Sequence, residues 1–420
     1  MIPEYLIKKL EELNIEWEIY AEKYWITSVK AKKREKVEVE IGKHTISGGI
    51  GLRVIYGGHL GFSYVTGTPT KEDVEMLIKR ALKLARVGKV THPGLPTPKK
   101  VNAVKIYDKR IANLTVEDII EHLLFLVDVE ANSQGSIGFG EGERDVVNSN
   151  GINLREDYTY LGIFLEVFKK NKGIGGEEKT FRLMPKIDDV VEEVRRKALW
   201  EFELSSKAKR LESYEGEIIL EPKALLSILS ILIPNFSAKN VYYKRSRFSS
   251  LGERVSKENF SLIDDPTIEG GVSSFSFDGE GNPGIKKYLI KDGLVSSFLA
   301  DEKYGRLLGI TGGNAMRSFS SLPGIGTSNL VIPPGNTEPE EGVFIRRVYG
   351  EHTANPVSGD FSLNIGLGYI IKDGEVMGFK DNMLIGNIFA MLNNILEVGK
   401  RVEEISGAIF PKIATNLKIV

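Results

Sequence analysis

The sequence predicts an α+β (mixed α/β) protein of two domains: an N-terminal domain of alternating helices and strands over residues 1–210, and a sheet-dominated C-terminal domain with two helices over 211–420. Three observations predict it. The chain has 420 residues, more than one hydrophobic core usually organises. Its first half switches repeatedly between period-two and period-3.6 apolar patterns. In its second half a hairpin signal, Lys291-Asp292-Gly293, returns as Lys372-Asp373-Gly374, and tight hairpin turns need residues that accept positive φ.

In chain order, Leu6, Leu10 and Leu13 set the apolar side of an opening helix. Glu16 to Tyr24 and Val37 to Ile41 then alternate as strands do. Between them lie Lys30, Lys32, Lys33, Arg34 and Lys36, interleaved with Glu35, Glu38 and Glu40, a pattern that predicts a solvated hairpin edge and not a grip on phosphates. Gly51 to Tyr56 and His59 to Val65 make a second hairpin around Gly57-Gly58. Thr70, with Asp73 three residues on, opens a helix whose apolar face is Val74, Leu77, Ile78, Ala81, Leu82 and Ala85. Thr115 with Asp118 repeats that start signal for a helix through Asn132. His92 to Pro98 is a proline-broken connecting loop. Strands resume around Asp145 to Gly151 and run from Tyr158 to Phe168. Ile187, Val190, Val191, Val194 and Ala198 then mark a long helix reaching toward Arg210.

In the C-terminal half, Ile218 to Leu220 is a short strand and Pro222 suits the first turn of a helix. The residues from Ala224 to Ile233 are apolar on nearly every face, which predicts a buried rod ended by Pro234. A second helix is expected from Met383 to Val398, stopped by Gly399. Between these lie loops at Thr311 to Arg317, Pro333 to Asn336 and Glu351 to Phe361, and loops hung on a rigid sheet are where sites are usually built.

Composition narrows the function. Fifty-six basic against fifty-seven acidic residues leave a formal charge of -1, so no global field draws the chain to nucleic acid or anionic lipid. With no cysteine it has no disulfide and no thiolate metal ligand, which fits a reducing compartment. No basic-then-apolar leader and no run near the roughly 18 apolar residues of a membrane span are present, so the expectation is a cytoplasmic protein. The five histidines, His44, His59, His92, His122 and His352, include no pair three to five apart, the spacing a zinc-binding helix uses. His122 is expected to pair with Asp118, one turn away.

The acidic loop Phe277-Asp278-Gly279-Glu280-Gly281-Asn282-Pro283 holds the strongest candidate residues. Asp278 and Glu280 could divide acid from base work as a carboxylate pair. The favoured reading is a turn whose carboxylates accept backbone N–H bonds or pair with Arg317. Asn314, Arg317, Asn355 and Asp360 read as loop-ordering residues, and His352 as a polar loop residue with a possible peptide contact. Gly270-Gly271 and Gly312-Gly313 lack the Gly-Lys-Ser/Thr ending of a phosphate loop, so no nucleotide site is assigned.

Several motifs in this order, Asp264-Asp265-Pro266, Phe277 to Gly281, the hairpin ending in Gly293, Thr311-Gly312 with Asn314, Pro334-Gly335, and Asn355-Pro356-Val357-Ser358-Gly359-Asp360-Phe361 on to the segment before Asn387, resemble the TldD/PmbA family. That family is known as modulators of DNA gyrase and as metalloprotease subunits. The resemblance covers most of residues 215 to 400, while residues 10 to 215 match only in their order of elements. It implies a pair of related chains, one carrying zinc on a His-Glu-x-x-x-His helix with a cysteine as third ligand, the other lacking both. Here the corresponding helix, Ala224 to Ile233, holds neither His nor Glu. The chain therefore resembles the PmbA/TldE-type subunit, with no metal and no catalytic residue of its own, and zinc expected in the partner. The implied partner is a zinc-bearing homologue in a heterodimer, or a second copy when the chain is alone, and the implied substrate is an unfolded peptide. Candidate substrate contacts are Asp278, Glu280, Asn314, Arg317, His352, Asn355 and Asp360. Two other readings stay open: a self-sufficient hydrolase using Asp278, Glu280 or His352, and a non-enzymatic homodimeric modulator or binding protein.

Overall fold

The computed structural model describes residues 1–170 and 172–420. In the first half, α1 (Glu4–Glu11) is followed by β1 (Glu16–Lys33), β2 (Val37–Tyr56), β3 (His59–Thr66) and α2 (Lys71–Val87). After the loop come α3 (Lys109–Ala112), α4 (Val116–Val127), β4 (Asn132–Asn148), β5 (Asn153–Lys169), β6 (Gly173–Phe181) and α5 (Ile187–Lys207). The strands form one antiparallel sheet in the order β3-β2-β1-β4-β5-β6, two meanders joined through β1 and β4. On one face α1 and α2 pack over β1 and β2 through Leu6, Leu77, Ala81, Ile19 and Leu52. On the same sheet α4 and α5 cover β4 and β5 through Leu123, Leu126, Val191, Ile137 and Ile163.

Both expected capping boxes form: Thr70 Oγ1 accepts from Asp73 N while Asp73 accepts from Thr70 N, and Thr115 and Asp118 do the same. The second helix ends at Val127 instead of Asn132, because Ser133 Oγ donates to the Val127 carbonyl and β4 has begun by Asn132. β4 thus starts well before the expected Asp145. Glycines at 135, 138, 140 and 142 hide its alternation, and at Gly140 a Cβ would lie 2.0 Å from the Trp25 carbonyl oxygen of β1. A glycine-rich stretch is here a strand that needs close approach.

The second half contains β7 (Tyr214–Leu220), α6 (Pro222–Leu232), α7 (Ala238–Tyr242), β8 (Leu262–Asp265), β9 (Lys287–Lys291), β10 (Leu294–Val295), α8 (Glu302–Leu308), β11 (Ala315–Met316), β12 (Gly324–Ile325) and β13 (Asn329–Val331). Then follow β14 (Gly342–Tyr349), β15 (Asp360–Lys372), β16 (Glu375–Phe379), β17 (Asn382–Asn387), α9 (Ile388–Asn393), β18 (Ile395–Ile405) and β19 (Ala408–Ile419). β11 and β12 pair alone; the others form one sheet in which β7 pairs both β14 and β19, so β19-β17-β15-β14-β7 closes into a barrel. The two Lys-Asp-Gly turns form as expected, with φ of 50° and 80° at Asp292 and Gly293 and 51° and 78° at Asp373 and Gly374.

α6 is the expected buried rod, with Ala224, Leu225, Ile228, Leu229 and Leu232 fully enclosed. The helix expected over Met383 to Val398 is corrected to a strand, a short helix and a strand. Asn387 Oδ1 caps α9 by accepting from Phe389 N and Ala390 N, and the helix closes at Asn393-Asn394, which divides an apolar run that otherwise carries a helical period. His122 meets Asp188 of α5, its Nδ1 3.3 Å from the carboxylate, and not Asp118, whose Oδ2 accepts from Thr115 N and Oγ1.

Candidate functional site

Alternation along β1 builds the main cluster. Trp17, Ile19 and Ala21 face the helices, so Glu18, Tyr20 and Glu22 face the other way. That second face is covered by loops of the C-terminal half. Tyr20, Val146 and Ile152 pack against Phe277 and Phe319, and Gly51 lets the chain come so near that a Cβ there would lie 2.3 Å from the Phe319 carbonyl oxygen.

At this seam Glu18 accepts from Arg53 Nη2 (2.8 Å) and Arg317 Nη1 (2.6 Å), and Arg53 Nη1 lies 2.7 Å from Glu280 Oε1. Glu280 Oε2 accepts from Glu302 N at 2.7 Å. Asp278 accepts from the backbone N–H groups of Glu280, Asn282 and Ala315 at 2.9–3.0 Å. Asn314 Nδ2 donates to Asp264, and its Oδ1 accepts from Lys287 Nζ. Four of the candidate residues are therefore brought together, with Asp278 0% and Glu280 1% exposed. The expected turn with backbone-bound carboxylates is there, but Arg317 pairs with Glu18, and Arg53 is the cation that meets Glu280.

Burial sets the electrostatics. Asp278 is pushed up to about 7 by burial and by the neighbouring Glu280 charge, and Asp301 to about 6 by the same two causes. Lys287 is drawn down to about 8 by burial. Burial also pulls Arg53 down, but the Glu18 and Glu280 charges outweigh it and hold its pKa above the ordinary value. Arg317 is lowered by burial; its Nε and Nη2 have no hydrogen-bond partner among the described residues, and its guanidinium lies 4.9 Å from the Tyr20 ring centroid. With both carboxylates enclosed and engaged by the backbone, this arrangement fastens the 277–283 loop to the N-terminal sheet.

His352 and Asn355 lie elsewhere, in an exposed loop between β14 and β15, with Asp360 exposed at the start of β15. Asn355 Oδ1 accepts from Val357 N and Ser358 N, and Asp360 Oδ1 accepts from Asn387 Nδ2 at 2.8 Å. Asn235, just beyond α6, anchors this loop by donating to the Pro356 carbonyl at 2.8 Å. Among the described residues the two groups of candidates share no hydrogen-bond partner.

The zinc that the resemblance associates with the α6 position has no usual ligand on that helix. The polar side chains within α6 are Lys223, Ser227 and Ser230, none a usual zinc ligand, and among the described residues no group of three or more His, Cys, Asp or Glu side chains could hold a metal ion.

A second charged cluster joins the halves and was not expected. Arg346 of β14 reaches Glu201 of α5 (Nε, 2.9 Å), Glu221 (Nη1, 2.9 Å) and Glu177 of β6 (Nη2, 3.1 Å). Lys223 lies 2.8 Å from Glu177 and 3.2 Å from Glu201, and Arg347 2.6 Å from Glu201. Tyr369 donates to Glu221 at 2.6 Å. The signal was present: Glu201 interrupts the apolar stripe Val194, Ala198, Leu204, and Arg346 interrupts the apolar strand around Ile345 and Val348.

Family models described as PmbA/TldA metallopeptidase domain 1, central domain and C-terminal domain match residues 17–85, 100–202 and 213–419 in turn. The chain belongs to the PmbA/TldD family. It is 32% identical to an uncharacterized protein of Methanocaldococcus jannaschii over 99% of both chains, and 26% identical to a metalloprotease of the same organism over 84% of both. The PmbA/TldD fold is shared in full with TldE from Thermococcus kodakarensis, at a TM-score of 0.87 and 23% identity over 99% of both chains. It is shared equally with a candidate DNA gyrase modulator from Thermotoga maritima, at a TM-score of 0.86 and 24% identity over 99% of this chain and 98% of that one. No helix among the described residues is long and apolar enough to cross a membrane.

Proposed function

We propose that this chain is the zinc-free subunit of a two-chain peptidase, pairing with a zinc-bearing homologue in the cytoplasm and walling the chamber by which an unfolded peptide reaches the partner's metal. The observation that carries this reading is α6: where catalytic chains of the family would need imidazole and carboxylate donors, it presents Ala224, Leu225, Ile228, Leu229 and Leu232 to the core. The fold shared with TldE over the full chain supports it. In this reading His352, Asn355 and Asp360 touch the peptide from the exposed loop and the start of β15. Asp278, Glu280, Asn314 and Arg317 act one step back, holding the wall against the N-terminal sheet. An extended peptide can satisfy its backbone groups on sheet edges with little demand on its sequence.

The test is cleavage of an unfolded peptide by the chain alone, by a zinc-bearing homologue alone and by the mixture. Cleavage should require the mixture and disappear with a zinc chelator. Cleavage by this chain alone would instead establish the self-sufficient hydrolase, and no cleavage by the mixture would leave the homodimeric modulator.

A further inference from the structure

A basic and aromatic surface follows α6 and plays no part in the reading above. Between Pro234 and Lys257 the sequence places six basic residues, Lys239, Lys244, Arg245, Arg247, Arg254 and Lys257, against one acid, Glu253. Glu253 is occupied, accepting from the backbone and hydroxyl groups of Ser249 and Ser250. Arg254 meets Glu258. Lys239, Lys244, Arg245 and Arg247 are exposed and form no ion pair among the described residues. α8 packs beside α7 and adds Lys303, whose ammonium donates to the Thr91 carbonyl; the acids at that end of α8, Asp301 and Glu302, are buried and bonded to Tyr304 N and to Arg306 and Asn282.

Three tyrosines stand among these cations. Tyr242 and Tyr243 are 43% and 49% exposed, and with Tyr304 they form a triangle of rings 5.1–6.1 Å apart at steep angles. The segment is held in place: Arg245 N donates to the Asn240 carbonyl, and Arg247 N donates to Asn235 Oδ1. Asn235 thereby ties this surface to the Glu351 to Asp360 loop through Pro356.

We propose that this surface binds an acidic, extended stretch of polypeptide. Unneutralised cations on a fixed backbone call for a polyanion, and carboxylate side chains can take charge-assisted bonds from lysine and arginine while tyrosine edges and hydroxyls meet the peptide backbone. Single-stranded nucleic acid fits less well. The Arg245 guanidinium lies 5.6 Å over the Tyr243 ring and the Lys303 ammonium 5.6 Å over the Tyr304 ring, so cations already cover faces on which bases would stack.

The measurement is fluorescence anisotropy of a labelled glutamate-rich peptide with the isolated full chain, and it needs neither partner nor cleavage. The peptide should bind at about 50 mM salt and weaken as salt rises to about 300 mM. The double variant Lys244→Glu/Arg245→Glu should lose affinity by about tenfold or more, Tyr243→Ala by less, while Lys372→Glu at the exposed β15–β16 turn, which is no part of this surface, leaves it unchanged. Circular dichroism of these surface variants checks that each is folded. The proposal is overturned if an oligothymidylate binds as tightly as the peptide, if the peptide does not bind, or if Lys372→Glu weakens it as much as the double variant.

Discussion

The two charged clusters that join the halves both bury arginine, yet they meet it differently. Around Arg346 each of the three guanidinium nitrogens has its own carboxylate, from Glu201, Glu221 and Glu177. Around Arg53 and Arg317 the match is incomplete: Arg53 Nε and Arg317 Nε and Nη2 are buried without a hydrogen-bond partner among the described residues, and Asp278 and Asp301 sit in an environment that favours their protonated forms. A buried ion group is costly unless its hydrogen bonds are complete. The difference marks the Arg346 cluster as the firm joint between the halves and the Glu18 to Glu280 seam as the weaker one.

The largest effect tests the firm joint. Arg346→Met strands Glu177, Glu201 and Glu221 around Lys223 and Arg347, and should cost about 3–5 kcal/mol in denaturant unfolding. Arg317→Met is the matching change at the seam; it strips Glu18 of one of its two cations but also removes two unmet donors, and should cost about 1–2 kcal/mol. If the two changes cost the same, the contrast between the clusters fails. The smallest effect is a pH dependence. Asp301 is raised above its unfolded value, so the native state favours its proton, and this contribution to stability is complete below about 4 and lost as pH rises through about 6. Asp301→Asn keeps the α8 cap, since asparagine caps as well as aspartate. The variant should gain on the natural chain between pH 4 and 7, by on the order of 1 kcal/mol. A difference in stability that stays constant over that range would show that Asp301 does not carry the raised pKa.

Where local chemistry decides structure, the sequence was readable. Thr70 with Asp73, Thr115 with Asp118, the two Lys-Asp-Gly turns and the apolar rod of α6 all stand where their residue types place them, because a cap or a turn is settled within four residues. The family resemblance, read from motifs strung between Asp264 and Asn387, is likewise shown by the domain models. The seam was not readable. A period-two pattern separates Glu18, Tyr20 and Glu22 from Trp17, Ile19 and Ala21, but a polar strand face looks the same whether it meets water or another part of the chain. The loop at Asp278 reads as a turn from its glycines, while Arg53, which meets its Glu280, and Glu18 behind Arg53 lie too far away in sequence for any local pattern to find. The Arg346 cluster could have been anticipated from Glu201 on an apolar stripe, since a charge in such a position usually needs a buried partner.

β19 takes partners from β7, β13, β17 and β18. On the ribosome, then, the barrel has no way to close until residues 408–419 have been synthesised, and β7, made far earlier, must wait with one flank open. A nascent chain in that condition exposes strand edges that invite mispairing. This gives chaperones a defined interval in which to act.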